Sequence, residues 1–321
     1  MKIFVTRTIP EVGLAMLREK GYEIDISPKN RPLTKRELIK FLKKKPYDAV
    51  VTTLSDEIDE KVVAVAPNVK IFSNYAVGFN NFDLKAIGDK NIFATNTPGT
   101  SDESVAEHAV SLMLAVAHRI VEGDQFVRDG KYTGWDPMLL TGFDLRGLTL
   151  GLVGAGAIGK HVAAICKNGF GMNIVYFDIA RNEEIEKNLG ARFATDINQL
   201  LSEADVVSLH TPLCPSTEHL LNAEHFAKMK KTAILINTSR GPVVDEKALL
   251  EALKNGTIRA AGIDVYEKEP EITRGLTKLD NVVLTPHTAS ATQIARDGMS
   301  KIAASNVIAA LEGQVPPNVV K

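Results

Sequence analysis

A glycine-rich turn in the middle of the chain constrains the fold more than any other feature of the sequence. The pattern Gly-x-Gly-x-x-Gly occupies residues 154–159, and the apolar segment 148–153 before it predicts a buried strand. Helix-forming sequence follows the turn, and a second strand is predicted over 173–177, closed by Asp178. A strand, a glycine turn and a helix, with an acid about 20 residues further on, are typical of a dinucleotide-binding unit.

The three glycines have different physical tasks in such a unit. Gly154 permits the tight turn, Gly156 lets the backbone approach a pyrophosphate, and Gly159 lets the helix pack closely on the strand. N–H groups at the start of the helix donate to the phosphates, and Asp178 is expected to accept hydrogen bonds from the adenosine ribose. A tight strand-to-helix turn without a ligand is the alternative. The two flanking strands and Asp178 favour cofactor binding, and NAD is the predicted cofactor.

Length, charge and cysteine content exclude several classes of protein. At 321 residues the chain has room for two domains, and its 38 basic residues balance 39 acidic ones without a basic stripe, which argues against a nucleic-acid partner. No apolar stretch reaches the ~18 residues of a membrane span, and the N-terminus runs directly into a strand, so neither a membrane partner nor a signal peptide is expected. Cys166 and Cys214 form no disulfide framework or metal-ligand pattern. We therefore predict a cytoplasmic protein with no metal site.

Short apolar runs alternate with helical periodicity along the whole chain, which indicates the α/β class. We predict two doubly wound parallel sheets, in a flavodoxin-like substrate domain and a Rossmann NAD-binding domain. Besides the two strands named above, strands are predicted at 2–6, 49–53, 70–74, 92–95, 204–210, 233–237, 259–264 and 282–285. Helices are predicted at 10–20, 35–44, 57–65, 222–230 and 245–254.

Two turn-rich breaks indicate where the chain passes between domains. The first, at 96–100, precedes a long predicted helix that reaches about residue 120. The second, at 285–288, precedes a final helix predicted over 291–311. We therefore expect residues 1–99 and 289–321 to form one discontinuous domain, and residues 100–288 to form the NAD-binding domain.

Three ionisable residues follow predicted strands in the second half of the chain: Arg240, Glu269 and His287. The carboxyl ends of strands face the ligand crevice of a doubly wound sheet, so these residues can converge there. Each alone fits an ordinary surface charge, but beside a dinucleotide site the three together predict carbonyl reduction. Histidine is suited to donate a proton near neutral pH, and a carboxylate beside it stabilises its charged form. Arginine binds a carboxylate through two parallel hydrogen bonds, so a 2-oxo or 2-hydroxy acid is the predicted substrate.

The chain resembles the D-isomer-specific 2-hydroxyacid dehydrogenase family over nearly its full length. Seven segments in the same order carry this resemblance: 74–83, 97–109, 150–160, 210–222, 235–249, 260–270 and 281–290. Within the family the sequence is most similar to glyoxylate and hydroxypyruvate reductases. The resemblance implies NAD-dependent hydride transfer, with Arg240, Glu269 and His287 at the catalytic positions.

The same resemblance implies further contacts with substrate and cofactor. The substrate residues beside Arg240 are Leu54, Val77, Gly78 and Trp135, with Val77 and Gly78 holding a carboxylate through backbone N–H groups. The cofactor residues are Val105, Gly154, Gly156, Ala157, Ile158, Gly159, Asp178, Thr211, Pro212, Thr217, Thr238, Ser239, Arg240, Asp264, His287 and Ala289. From the residues alone, Asp264 can equally end a strand and Thr217 can equally cap a helix.

Several alternatives remain open at this point. D-Lactate and D-3-phosphoglycerate dehydrogenases share the pattern, although the latter are expected to place basic residues where Leu54 and Ala76 are apolar. Corepressors of this fold bind NAD and act through protein contacts.

The helix at 101–120 and the segment to about residue 140 are expected, by resemblance, to build a homodimer. Trp135 is either a core or interface anchor, or an aromatic that reaches the partner subunit's substrate pocket.

Overall fold

Two compact units make up the part of the chain that the structure, a computed structural model, describes: residues 1–320. The first unit contains Met1–Ser101 and the segment from Ala291 onward, and the second contains Asp102–Ser290. The strands are β1 Lys2–Val5, β2 Glu23–Ile26, β3 Ala49–Thr53, β4 Ile71–Tyr75, β5 Phe93–Thr95, β6 Thr149–Val153, β7 Asn173–Phe177, β8 Arg192–Phe193, β9 Val206–Leu209, β10 Ile234–Asn237, β11 Ala260–Ile263 and β12 Val282–Leu284.

Twelve α-helices and two short 3₁₀ turns connect these strands within the described residues. The helices are α1 Glu11–Glu19, α2 Lys35–Lys44, α3 Glu60–Ala64, α4 Leu84–Gly88, α5 Asp102–Ala117, α6 Ile120–Arg128, α7 Ala157–Phe170, α8 Glu183–Leu189, α9 Ile197–Glu203, α10 Ala223–Phe226, α11 Glu246–Lys254 and α12 Gln293–Leu311. No single one of them is long and apolar enough to cross a membrane; α5 and α6 reach that length only together, with a bend of 61° between them.

The first unit is a five-stranded sheet in the order β2-β1-β3-β4-β5, with every pair parallel. This is the flavodoxin-like doubly wound order. Successive residues of β3 face opposite sides of the sheet. Val51 packs with α1 and α12, whereas Val50 packs with α2, α3 and α4. Helices therefore cover both faces, which explains why consecutive residues of the inner strands β3 and β4 are buried.

The second unit is a seven-stranded parallel sheet in the order β12-β11-β10-β9-β6-β7-β8. The six consecutive strands from β8 to β11 follow the Rossmann arrangement, in which the order reverses between β6 and β9. Leu235 faces a core shared with α9 and α11, and its neighbour Ile236 faces a core shared with α5 and α7. The α/β prediction with two doubly wound parallel sheets is confirmed.

The sequence missed short elements that contribute little buried area. The edge strand β2 has one exposed and three partly buried residues, and the edge strand β8 has only two residues. The long helix expected to reach residue 120 ends instead at Ala117. Arg119 adopts a left-handed backbone conformation, with φ of 53°, and α6 begins directly after it. A helix cannot continue through such a residue, so the expected single helix is two.

Candidate active site

The predicted cofactor turn has the geometry that a dinucleotide requires. Gly154 has φ of +95°, which a side chain would strain, and a Cβ there would lie 2.7 Å from the carbonyl oxygen of His210. Gly156, the N-cap of α7, is different, because a Cβ added there would meet no atom within 4 Å. Open space lies beside the backbone at the start of a 14-residue helix, where N–H groups and the helix dipole favour a phosphate.

Asp178 follows β7 and is tied to this turn. Its two carboxylate oxygens accept the N–H groups of Ala155 and Ile179, both at 2.7 Å. Each carboxylate oxygen has a further lone pair, so the group retains capacity to accept ribose hydroxyls. The side chain of Arg181 lies nearby in the sequence but is engaged elsewhere: it forms an ion pair with Glu186 at 2.8 Å, and its guanidinium lies over the ring of Phe193.

Two buried hydroxyls at predicted cofactor positions have no hydrogen-bond partner in the protein: the Oγ1 atoms of Thr211 and Thr238. These residues follow β9 and β10, at the same carboxyl edge as Gly154 and Asp178. Buried polar groups are normally paired, so unpartnered hydroxyls at this edge fit a polar ligand. Together with the open space at Gly156, they show that the residues present fit a dinucleotide.

Thr217 does not cap a helix; it closes a turn. Its hydroxyl donates to the carbonyl of Pro212 at 2.7 Å and accepts the N–H of Cys214 at 2.9 Å. The remaining predicted cofactor positions lie at the same edge or in the helix α5. Val105 is buried in α5, Ser239 is held by Asn237 after β10, and Ala157 and Ile158 begin α7.

Glu269 and His287 meet in the structure, as the sequence predicted. The Nδ1 atom of His287 lies 2.9 Å from one carboxylate oxygen of Glu269 and 3.1 Å from the other, and both side chains are about 30% exposed. Burial alone would raise the pKa of Glu269. The hydrogen bond and charge of His287, the N–H of Tyr266 and the charge of Arg240 outweigh burial and lower this pKa below its ordinary value.

Arg240 follows β10, and its guanidinium donates to the carbonyl of Ser239 at 2.6 Å. Burial lowers the pKa of this guanidinium, and the neighbouring charge of Glu269 opposes that effect. Arginine stays protonated at neutral pH in either case. A partly buried cation, a carboxylate and an imidazole therefore share one edge of the sheet.

Asp264 is fully buried and organises the turn that carries His287. Its carboxylate accepts the hydroxyl of Thr285 at 2.6 Å and the N–H groups of Thr288 and Ala289 at 2.8 and 2.9 Å. Burial alone would raise its pKa, but the bonds from His108, Thr285 and this turn lower it. Asp264 thus does more than end a strand. The sequence offered no signal for the partner His108, 3.5 Å from the carboxylate.

The predicted carboxylate-binding loop belongs to the first unit. The three carbonyls of Ala76, Val77 and Gly78 accept hydrogen bonds from the N–H of Thr97 and the side-chain amides of Asn96 and Asn74, at 2.7–2.9 Å. These three bonds hold the loop in place, and the binding role of its N–H groups stays a prediction. Backbone N–H groups in such turns form concave sites for anions.

Two other predicted substrate residues are exposed. Leu54, in the first unit, is 43% exposed, and Trp135, in the second, is 84% exposed. The core alternative for Trp135 is therefore wrong within the single chain. Among the described residues, no cluster of His, Cys, Asp and Glu side chains has the geometry of a metal site.

Comparisons with known proteins identify related sequences and folds. Residues 110–289 match the model of the D-isomer specific 2-hydroxyacid dehydrogenase NAD binding domain. A glyoxylate reductase of Korarchaeum cryptofilum is 46% identical over 321 residues, covering 99% of this chain and 95% of the relative.

Solved structures give the same result. A protein of Thermus thermophilus superposes with a TM-score of 0.93 at 43% identity, with both chains fully covered. An NADPH-dependent glyoxylate/hydroxypyruvate reductase of Sinorhizobium meliloti superposes with a TM-score of 0.86 at 29% identity, covering 99% of this chain and 97% of that one. The resemblance inferred from the seven sequence segments is confirmed.

Proposed function

Because the chain belongs to the D-isomer-specific 2-hydroxyacid dehydrogenases, and so is an NAD(P)-dependent oxidoreductase, we propose that it reduces glyoxylate or hydroxypyruvate with NADH. The observation that carries this proposal is the contact between His287 and Glu269 at 2.9 Å, with Arg240 beside it. The names of the similar proteins support the substrate class. Leu54, which is apolar and exposed, fits a short uncharged substrate tail.

The residues divide the chemistry as follows. A bound nicotinamide dinucleotide supplies the hydride. His287 donates a proton from Nε2 to the carbonyl oxygen, since Nδ1 is hydrogen-bonded to Glu269 and the ring is thereby oriented. Arg240 binds the substrate carboxylate and stabilises the negative charge that develops on the oxygen. For the loop of the first unit, the carboxylate-binding role of the Val77 and Gly78 N–H groups stays the role implied by the resemblance.

NAD is proposed over NADP on the basis of Asp178 and Arg181. A carboxylate at the ribose repels a 2′-phosphate and accepts the free hydroxyls. The cation that could offset this repulsion, Arg181, is paired with Glu186 and stacked on Phe193. For the other cofactor residues named in the sequence analysis, we propose the cofactor contacts that the resemblance implies.

A panel of 2-oxo acids tests the function. Glyoxylate, hydroxypyruvate, pyruvate, 3-phosphohydroxypyruvate and a bulky aromatic 2-oxo acid are each assayed with NADH and with NADPH. We expect the highest kcat/KM for glyoxylate or hydroxypyruvate with NADH. A higher kcat/KM for pyruvate or the phosphorylated acid assigns the other dehydrogenase activities, and no turnover of any acid favours a binding role.

We further propose a homodimer formed through α6 and the segment that follows it. Large apolar side chains along this stretch are more than half exposed in the single chain: Ile120, Val121, Val127, Tyr132, Trp135 and Met138. Monomeric proteins rarely expose so many large apolar side chains within one stretch, whereas interfaces between subunits bury them. Light scattering after gel filtration tests this, and we expect twice the mass of one chain; a mass of one chain would contradict it.

A further inference from the structure

Tyr266, in the loop after β11, forms hydrogen bonds with Glu269 and with the turn that carries His287. Its backbone N–H donates to Oε1 of Glu269 at 3.1 Å. Its phenol donates to the carbonyl of Thr285 at 2.9 Å, two residues before His287. The side chain is only 7% exposed. One buried residue therefore connects the segment that carries the carboxylate with the turn that carries the imidazole.

The same residue lies against the loop of Arg240. A Cβ added to Gly241 would lie 1.9 Å from the carbonyl carbon and oxygen of Tyr266, so the two backbones are in direct contact. The next residue along the chain, Glu267, is anchored as well, because its carboxylate accepts the N–H of Glu246 at the start of α11. Tyr266 is thus held between rigid elements.

The turn that carries His287 needs such support. His287 has φ of +53°, a left-handed conformation that is unfavourable for a residue with a side chain. Its N–H donates to the carbonyls of Asp264 and Thr285, at 2.9 and 3.1 Å. The Thr285 carbonyl thus accepts from both His287 and Tyr266. Burial raises the pKa of Tyr266 to about 12, so its hydroxyl keeps the proton that it donates.

We propose that Tyr266 is a positioning residue for catalysis: its phenol fixes the His287 turn while its amide fixes Glu269, which sets the geometry of the pair. The inference rests on the proposed function, in which this pair delivers the proton. Small displacements of a reacting group lower the rate by up to about 100-fold, because the reacting atoms must be aligned.

Tyr266→Phe tests this proposal, since it removes the hydroxyl and keeps the ring. We expect kcat for the preferred 2-oxo acid to fall about 10-fold, with KM for that acid and Kd for NADH within twofold of the parent. The deuterium isotope effect with NADH labelled at C4 is expected to rise, because the chemical step becomes slower than product release.

Tyr47→Phe is the matched control. Tyr47 is equally buried, at 4% exposure, and its phenol donates to Asp25 at 2.7 Å within the first unit, whereas the pair belongs to the second. We expect this variant to lose similar stability while kcat stays at the parent value.

Proton NMR provides a readout that does not depend on turnover. The Nδ1 proton of His287, identified by its absence in His287→Ala, is expected to move upfield or broaden in Tyr266→Phe and to stay unchanged in Tyr47→Phe. An unchanged signal with kcat within twofold of the parent overturns the proposal. A parallel loss of kcat, NADH affinity and Tm also overturns it, because it assigns Tyr266 to packing alone. A parent that reduces no 2-oxo acid refutes the proposed function, and the NMR comparison still tests the positioning role.

Discussion

Alanine substitutions at the first two glycines of the turn are expected to have opposite consequences. Gly154 has φ of +95°, and a Cβ there would lie 2.7 Å from the His210 carbonyl oxygen. The backbone strain costs about 1–2 kcal/mol and the steric overlap about 1–3 kcal/mol, so Gly154→Ala is destabilised by about 2–5 kcal/mol. For a domain of this size that lowers Tm by roughly 4–20 °C.

At Gly156 the added Cβ meets nothing within 4 Å, and φ is −73°. Restricting the unfolded chain stabilises Gly156→Ala by about 0.4–1 kcal/mol, and losing glycine as the N-cap costs a similar amount. We therefore expect Tm within about 2 °C of the parent. The methyl group fills the space beside the helix start, so NADH affinity should fall at least about 10-fold, or about 1.4 kcal/mol.

Thermal unfolding without ligand and fluorescence titration with NADH measure the two effects separately. The reasoning predicts a stable Gly156→Ala that binds NADH poorly and a Gly154→Ala that unfolds early. Parent-like NADH affinity in Gly156→Ala would refute the assignment of this open space to the pyrophosphate. Equal destabilisation of both variants would refute the steric argument.

Three further predictions follow from charges and pKa values. The pKa of Glu269 is lowered in the fold, so its charge stabilises the protein at pH values above the unfolded pKa of about 4.3. Relative to Glu269→Gln, the parent should lose this stability as the pH falls from about 5 to 3, as measured by unfolding at each pH. Neighbouring hydroxyls lower the pKa of Cys214 to about 7, whereas burial raises the pKa of Cys166 to about 12. Iodoacetamide at pH 7 should therefore label one cysteine, and Cys214→Ser should remove that label. Rapid labelling of Cys166 would contradict this. Asp178→Ser should raise the ratio of kcat/KM for NADPH to that for NADH at least about 10-fold, and an unchanged ratio would remove Asp178 from cofactor selection.

The fold was predictable where burial imposes a pattern. Strands with helices on both faces, such as β10, are buried along their whole length, and β10 lies within a residue of its predicted bounds. The strand β7 begins and ends at the predicted residues. The edge strand β2 escaped prediction because an exposed edge imposes no such pattern. The break at Arg119 escaped because a left-handed residue other than glycine or asparagine leaves no sequence signal.

The candidate site was predictable as a set of residue types but not as a network. Glycine spacing and strand ends identified Gly154, Asp178 and the His287–Glu269 pair, because parallel strands bring their carboxyl ends to one edge. The support of the pair by Tyr266 depends on a backbone contact with Gly241 and a phenol bond across the fold. Such contacts join segments distant in sequence, so no spacing within the chain records them.

Single-turnover reduction of glyoxylate by the parent and by His287→Ala, with NADH bound at saturating concentration, tests the central claim most directly. A positioned proton donor contributes about 100- to 10,000-fold to the rate. We predict that His287→Ala loses a factor in this range while Kd for NADH, measured by fluorescence, stays within twofold. A His287→Ala variant that reduces glyoxylate at the parent rate would contradict the assignment of this residue as the proton donor.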